Sequence, residues 1–277
     1  MTNWRAVVAA LDDYEVFRSR VSVYQYPLAG RPVLWHVTRA LLSISPPPSR
    51  IHVVHREEAP LVVPDAPDIV VTHAVREADQ RVALRAAATR PGLTLLVDGA
   101  APLITTGTLQ RLLRAGEQGV AHLTADGLPS AGIAVAGEGP AVASAEDPRM
   151  PDGAMQVATA SPGELLRVTD RHSLGVAGLE LRDRLVRQHE KNGVTFILPS
   201  SVWIDVDVRI GTDTIIYPGA VLEGATEIGS ECVIGPYSRI VESLVGRGAE
   251  LMGWNYLSRA TLRNHAVLEP YVRRGSL

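Results

Sequence analysis

The chain has 277 residues, of which 46% are hydrophobic and 21% are charged, so it can bury a core and is not a disordered protein. Its 27 basic and 30 acidic side chains give a net charge of −3, which argues against nucleic acid and an anionic membrane as partners. A single cysteine excludes an intrachain disulfide, and no apolar run reaches the roughly 18 residues of a spanning helix. We expect a soluble, cytoplasmic protein of two domains.

Short apolar runs alternate with amphipathic stretches from Arg5 to about Gly116, which predicts strands joined by helices on a parallel sheet. A further helix is predicted over 171–189, where apolar residues recur at steps of three and four before Asn192-Gly193. Between these regions the sequence is rich in Ala, Gly and Pro and predicts short edge strands and loops. The predicted strands are 6–10, 51–54, 69–71 and 93–97, and the other predicted helices are one that starts at Pro32, 76–89 and 105–115.

A period of six residues begins beyond Val194. It predicts a parallel β-helix in which each six-residue unit supplies one strand and one turn, and three units make one triangular coil. Small or β-branched residues stand two places before each aliphatic residue, where they also face the narrow interior. The register slips by one residue after Ile240 and again after Leu257. The aliphatic positions are Ile204, Ile210, Ile216, Leu222, Ile228, Ile234, Ile240, Val245, Leu251, Leu257, Leu262 and Leu268.

Three segments around this repeat carry a resemblance to a known family. Residues 184–195 (RLVRQHEKNGVT), 203–211 (WIDVDVRIG) and 214–219 (TIIYPG) resemble the linker helix and first coils of the bifunctional N-acetylglucosamine-1-phosphate uridyltransferase/glucosamine-1-phosphate acetyltransferase family, GlmU. Upstream, residues 27–37 (PLAGRPVLWHV) are similar to the segment that follows the catalytic loop of nucleotidyltransferases. Residues 98–105 (DGAAPLIT) resemble the metal-binding segment of methylerythritol phosphate cytidylyltransferases.

The resemblance implies an architecture of three parts. Residues 1–168 would form an α/β nucleotidyltransferase-like, Rossmann-like domain, residues 169–193 a linker helix, and residues 194–277 a short left-handed parallel β-helix of about four coils. A short β-helix leaves flat faces and open ends, so we expect a homotrimer formed through the β-helix.

The resemblance also locates a phosphate site, and the residues there differ from the family pattern. The glycines of the phosphate loop fall on Leu11 and Asp13, and its arginine falls on Glu15. The carboxylates of Asp12, Asp13 and Glu15 would repel a triphosphate unless a metal ion intervenes. Asp12 and Asp13 could themselves bind a metal ion, although a solvated acidic loop is the simpler interpretation. The expected lysine is absent, and Arg18 and Arg20 are the nearby cations that could replace it as catalytic residues.

The metal site implied by the resemblance would use Mg²⁺ if the protein is an active transferase, and otherwise no cofactor is expected. Asp98 is the candidate ligand in the cytidylyltransferase register, whereas the uridyltransferase register places Ala100 there. Thr169 stands where the family has an asparagine ligand, in the sequence Val168-Thr169-Asp170-Arg171. Asp98 could equally cap the turn that follows its strand.

Three functions remain open from the sequence. The first is a GlmU-like protein of nucleotide-sugar metabolism with a degenerate nucleotide site, acting as a scaffold, a sensor of a nucleotide or sugar-nucleotide ligand, or a partner subunit. The second is an active nucleotidyltransferase on a sugar 1-phosphate or similar phosphate ester. The third is a hexapeptide-repeat acyltransferase, for which His265 is the candidate base, although a surface histidine is the simpler interpretation. Cys232, at a small interior position, is expected to be structural, and the sequence Trp254-Asn255-Tyr256 has no assigned role.

Overall fold

The structure is a computed structural model, and it describes residues 3–11, 17–19, 21–56, 61–74, 77–125, 128–129, 134–139, 142, 155–159 and 161–275. The chain divides into two compact units. The first contains Met1–Pro27 and Pro32–Ala177, and the second contains Leu28–Arg31 and Gly178–Leu277. The boundaries expected from the sequence, at 168 and 193, stay predictions.

The first unit is built on an eight-stranded mixed sheet with the order β10-β7-β9-β6-β1-β4-β5, and β8 pairs with β7 outside this path. Strands β6, β1, β4 and β5 are parallel, while β9 runs antiparallel to β6 and β7. The short strands β2 and β3 pair only with each other. The strands are β1 (Trp4–Ala10), β2 (Pro27–Leu28), β3 (Arg31–Pro32), β4 (Ile51–His55), β5 (Ile69–His73), β6 (Leu93–Asp98), β7 (Ala121–Ala125), β8 (Leu128–Pro129), β9 (Ala134–Glu138) and β10 (Met155–Ala158).

Three helices of the first unit follow the sequence pattern closely. They are α1 (Val33–Leu42), α2 (Glu77–Ala88) and α3 (Thr106–Gly116). Helix α1 buries its apolar face through residues such as Leu34, Val37 and Leu41. Helix α3 begins after Thr105, whose hydroxyl accepts a hydrogen bond from the Thr108 amide.

Two details of the first unit differ from the expectation. Pro32 is the residue before α1 rather than its first residue, because it belongs to β3 and has an extended ψ of 148°. The region 116–162 does not supply only edge strands, since β7 and β9 lie inside the sheet, whereas β10 lies at its edge and the short β8 pairs with β7 outside the main order. Strand β9 is short but almost wholly buried, and its sequence of small residues gave little apolar signal.

A fourth helix, α4 (Arg171–Lys191), confirms the predicted long helix and extends two residues further. It is followed by Gly193, whose φ of +86° ends the helix as the sequence predicts. The segment Leu28–Arg31 belongs to the second unit with the first coil. There the Ala29 carbonyl accepts from the Val206 amide at 3.1 Å, and Arg31 Nε donates to Asp207 Oδ2 at 2.6 Å.

The second unit contains a three-sided parallel β-helix, as predicted. Its fourteen described strands form two sheets of five strands and one of four, and every adjacent pair is parallel. The strands are β11 (Thr195–Phe196), β12 (Trp203–Ile204), β13 (Arg209–Ile210), β14 (Ile215–Ile216), β15 (Val221–Glu223), β16 (Glu227–Ile228), β17 (Val233–Ile234), β18 (Arg239–Val241), β19 (Leu244–Val245), β20 (Glu250–Leu251), β21 (Tyr256–Ser258), β22 (Thr261–Leu262), β23 (Val267–Leu268) and β24 (Arg273–Gly275).

The repeating aliphatic side chains form the core of this β-helix, and all of them except the partly buried Ile210 are fully buried. The two register slips fall at the same corner of the coil. Ile228 pairs with Val245, which in turn pairs with Leu262, because the turns around Glu242 and Arg259 are each one residue shorter than the turn at Gly224. The shorter turn therefore keeps the strands of successive coils in register.

Candidate functional site

The carboxyl ends of the parallel strands bring the candidate nucleotide-site residues to one edge of the sheet. Asp98 is the last residue of β6, and it lies in register with Ala9 of β1. Leu11 therefore follows β1 at the same edge of the sheet as Asp98. Asp12, Asp13, Glu15 and Arg20 lie outside the described residues, so their predicted roles stay predictions.

Asp98 is 5% exposed, and donors engage both of its carboxylate oxygens. Oδ1 accepts a hydrogen bond from the Ala100 amide at 2.8 Å, so this carboxylate does cap the turn after its strand. Oδ2 accepts from Nε of Arg167 at 2.6 Å, in an ion pair whose arginine side chain is 30% exposed. A fixed guanidinium cation is thus present where the family resemblance places a metal ion.

The chain segment that carries Arg167 is held against the same edge by two further contacts. The Val168 amide donates to the Ala100 carbonyl at 2.7 Å. Glu164 is 1% exposed, and its Oε2 accepts from the amide and the hydroxyl of Thr105, at 3.2 and 3.0 Å. Hydrogen bonds that are buried or partly buried therefore hold the chain on both sides of Arg167.

Thr169 takes part in a helix cap. It is exposed, and its amide donates to Oγ of Ser173 at 3.0 Å. The adjacent Asp170 caps α4, since its Oδ1 accepts from the amide and the hydroxyl of Ser173, both at 2.7 Å. These hydrogen bonds hold the pKa of Asp170 below its ordinary value.

The residues present do not fit a magnesium site at Asp98. Magnesium requires near-octahedral oxygen ligands at about 2.0–2.1 Å, and a guanidinium already neutralises this carboxylate. Among the residues that the structure describes, no three His, Cys, Asp or Glu side chains are grouped to hold an ion. Asp98 and Thr169 as metal ligands remain predictions from the resemblance.

A second cationic cluster consists of Arg171 and two aromatic rings, Phe17 and Tyr26, which lie before and after Arg18 in the chain. The Arg171 guanidinium lies 5.3 Å from the Phe17 ring centroid and 5.2 Å from that of Tyr26, and it donates to the Tyr26 hydroxyl at 3.0 Å. Ser19 shares a 2.7 Å hydrogen bond with the same hydroxyl, and this bond, followed by Arg171, lowers the pKa of Tyr26. Arg18 itself is exposed and has a φ of +49°.

Sequence reasoning did not single out Arg167 or the role of Tyr26 in this cluster. Arg167 lies 69 residues from Asp98, so no local spacing signals the pair. The one available signal was its position two residues before Thr169, just ahead of the Val168-Thr169-Asp170-Arg171 match.

In the β-helix, Cys232 is fully buried, and its thiol donates to the Gly246 carbonyl at 3.2 Å. Burial raises the pKa of this thiol, which is consistent with a structural role. His265 is exposed on a turn with a φ of +57°.

In the sequence Trp254-Asn255-Tyr256, the side chains of Trp254 and Asn255 lie in different environments. Trp254 stacks between Tyr237 and Tyr271 on the neighbouring coils, with ring centroids 5.8 and 5.6 Å apart. Asn255 points inward, and its Nδ2 donates to the Glu269 carbonyl at 2.7 Å. The exposed aromatic column thus occupies one corner of three successive coils.

Comparisons with known proteins agree with this architecture. Residues 207–241 match the bacterial transferase hexapeptide family, a model of six repeats. The chain is 41% identical over 108 residues to the bifunctional protein GlmU of Caldanaerobacter subterraneus, and 48% identical over 111 residues to GlmU of Mycolicibacterium smegmatis. Each match covers 39% of this chain but 23% of the relative, so the chain spans about a quarter of the length of these proteins.

A nucleotidyl transferase from Methanothermobacter has a similar fold, with a TM-score of 0.51 and 20% sequence identity. The match covers 67% of this chain and 99% of that one. No helix among the described residues is long and apolar enough to cross a membrane. The chain is therefore GlmU-like, with a nucleotidyltransferase-like α/β unit and a hexapeptide-repeat β-helix.

Proposed function

We propose that this chain is a protein of nucleotide-sugar metabolism whose α/β unit binds a nucleotide or sugar-nucleotide without magnesium-dependent nucleotidyl transfer. It would act as a scaffold, a ligand sensor or a partner subunit. The GlmU relatives and the nucleotidyltransferase fold support the metabolic setting. A homotrimer formed through the β-helix and a cytoplasmic location belong to the same proposal.

The observation that carries the proposal is the ion pair between Asp98 and Arg167. Nucleotidyl transfer relies on metal ions and cations to neutralise the phosphates, with the metal positioned by carboxylates. A metal on Asp98 would have to displace the arginine, whose positive charge would then lie close to a divalent cation. The ion pair therefore favours a site that works without this metal.

The sequence of the phosphate segment supports the same conclusion. Leu11 and Asp13 stand at the positions of the family's loop glycines, and Glu15 stands at the position of its arginine. A side chain at those positions keeps the backbone amides from approaching phosphate as closely as glycine allows. Acidic residues there also repel a triphosphate unless a cation intervenes.

A pyrophosphate-release assay tests the proposal. The full chain would be incubated with UTP, CTP, dTTP or ATP, with N-acetylglucosamine 1-phosphate and Mg²⁺. We expect no release above the enzyme-free control, and we expect UDP-N-acetylglucosamine to raise the melting temperature without Mg²⁺. Release that requires Mg²⁺ and is lost in Asp98→Ala would contradict the proposal.

The active transferase remains the second candidate because Arg18 is exposed beside the candidate phosphate segment. In that case Arg18→Ala would reduce the rate of pyrophosphate release, whereas an exposed control such as Arg209→Ala in the β-helix would leave it unchanged. If neither variant changes a measured rate, Arg18 has no catalytic role.

A further inference from the structure

Two histidines lie side by side at the carboxyl edge of the sheet. His55 is the last residue of β4 and His73 is the last residue of β5, and the two are paired in register. His55 is also in register with Ala10, the last residue of β1. Neither histidine takes part in the Asp98 and Arg167 ion pair.

The imidazole of His55 is buried without a hydrogen-bond partner on one of its nitrogens. The residue is 4% exposed, and its Nδ1 has no partner among the described residues. Buried polar atoms are nearly always hydrogen-bonded, so an unpartnered one needs an explanation. Candidate partners are an ordered water molecule and a metal ion.

The second imidazole lies close enough to share an ion with the first. The ring centroids of His55 and His73 are 5.1 Å apart, with an interplanar angle of 32°. Two imidazoles bound to one tetrahedral ion at nitrogen–metal distances of about 2.0–2.1 Å place their ring centroids roughly 5 Å apart. The observed separation therefore matches a pair of ligands on one ion.

The chemistry of the two side chains indicates which ions they would bind. Neutral imidazole is the form that coordinates metals. Imidazole nitrogen suits zinc, copper and nickel, whereas magnesium prefers oxygen ligands.

We propose that His55 and His73 form a binding site for a borderline divalent transition metal ion, with Zn²⁺ as the probe. Solvent completes the coordination, since the described residues hold no third His, Cys, Asp or Glu in the group. His73 is exposed and gives the ion access, while the buried His55 fixes its position. This inference does not depend on the proposed function of the Asp98 site.

Calorimetric titration of the untagged full chain with ZnCl₂ tests the site. We expect about one Zn²⁺ per chain, and at least a tenfold loss of affinity in His73→Ala. His73 is exposed, so this variant should keep the fold, which far-ultraviolet circular dichroism checks. The matched control is His172→Ala, which removes an exposed histidine at the start of α4 and should bind Zn²⁺ like the wild type.

Two further measurements strengthen the test. Co²⁺ should give a visible absorption band that disappears in His73→Ala, and Mg²⁺ should produce no heat of binding at this pair. His55→Gln should lose the same band, and if it does not fold, His73→Ala alone decides. Equal Zn²⁺ affinity in the wild type and His73→Ala, or no Zn²⁺ binding by the wild type, would overturn the proposal.

Discussion

The β-helix and the α/β unit differ in how their residues come together. In the β-helix the strand pairings between successive coils recur every 17 or 18 residues, as when Leu222 pairs with Ile240 and Ile240 with Leu257. In the α/β unit the candidate site depends on single contacts, such as Asp98 with Arg167, that occur once. A repeated structure can therefore be predicted from the periodicity of the sequence, whereas a unique site depends on single pairs of distant residues that carry no periodic signal.

The largest expected effect is on the free energy of unfolding when an inward-facing residue of the repeat is truncated, compared with an outward-facing one. Leu251 is fully buried in the core of the β-helix, and Leu244 is 48% exposed. We expect Leu251→Ala to lower the free energy of unfolding by about 2–5 kcal/mol, because it removes core contacts and leaves a cavity.

The matched variant Leu244→Ala should cost less than about 1 kcal/mol, since an exposed side chain loses little buried surface. Denaturant unfolding followed by circular dichroism measures both variants. Equal losses would contradict the assignment of the two faces.

The next effect concerns the unique ion pair of the α/β unit. Arg167→Met leaves Asp98 buried with one partner fewer, and we expect a loss of about 1–3 kcal/mol, allowing for the 30% exposure of Arg167. Arg209→Met is the control, because Arg209 pairs with Glu227 but is 80% exposed.

Exposed ion pairs contribute about 0–1 kcal/mol, so the control should change little. Chemical denaturation measures both. If Arg167→Met lowers the free energy of unfolding no more than the control does, the ion pair does not stabilise the site.

Two glycines give effects of opposite sign. Gly219 has a φ of +73°, and a Cβ there would lie 2.5 Å from the Tyr237 ring, so Gly219→Ala should destabilise by about 1–3 kcal/mol. Gly175 lies in α4 with nothing within 4 Å of an added Cβ, so Gly175→Ala should stabilise by about 0.5–1 kcal/mol.

The melting temperatures of the two variants should therefore move in opposite directions from the wild type. A rise in Gly219→Ala would show that the corner beneath the aromatic column accepts a side chain.

The smallest expected effect is the dependence of stability on pH. Burial is the main cause of the lowered pKa of His52 and His55 in the first unit and of His189 in the second. Below about pH 6.5 the unfolded chain takes up protons on these histidines before the folded chain does.

Stability should therefore be fully present above that pH and fall as the pH is lowered toward 5. Urea unfolding at pH 7.5 and 5.5 checks this, and His189→Gln should reduce the slope. A slope that is unchanged in His189→Gln would show that this histidine does not contribute.

The sequence predicted the repetitive and local features well. The aliphatic residues from Ile204 to Leu268 recur with the period, which predicts the core that they form. The apolar spacing predicts a helix over 171–189, and the observed helix ends at Lys191. Short apolar runs predicted strands β1, β4, β5 and β6. Strand β1 begins two residues before its predicted range, and the other three end one or two residues after theirs.

The sequence could not predict the contacts that depend on tertiary structure. Arg167 reaches Asp98 from 69 residues away, and His55 meets His73 only because β4 and β5 pair in register. Strand β9 escaped prediction as an interior strand because its small residues carry a weak apolar signal. The two missed side-chain pairs share one cause, since a unique long-range pair leaves no periodic trace.

We propose that the Arg167 guanidinium takes the place of a metal ion at Asp98. The most direct measurement is a calorimetric titration of the wild type, Arg167→Met and Asp98→Ala with UTP, with and without Mg²⁺. We expect no Mg²⁺-dependent binding of UTP by the wild type. Saturable Mg²⁺-dependent binding by the wild type that is lost in Asp98→Ala would contradict it.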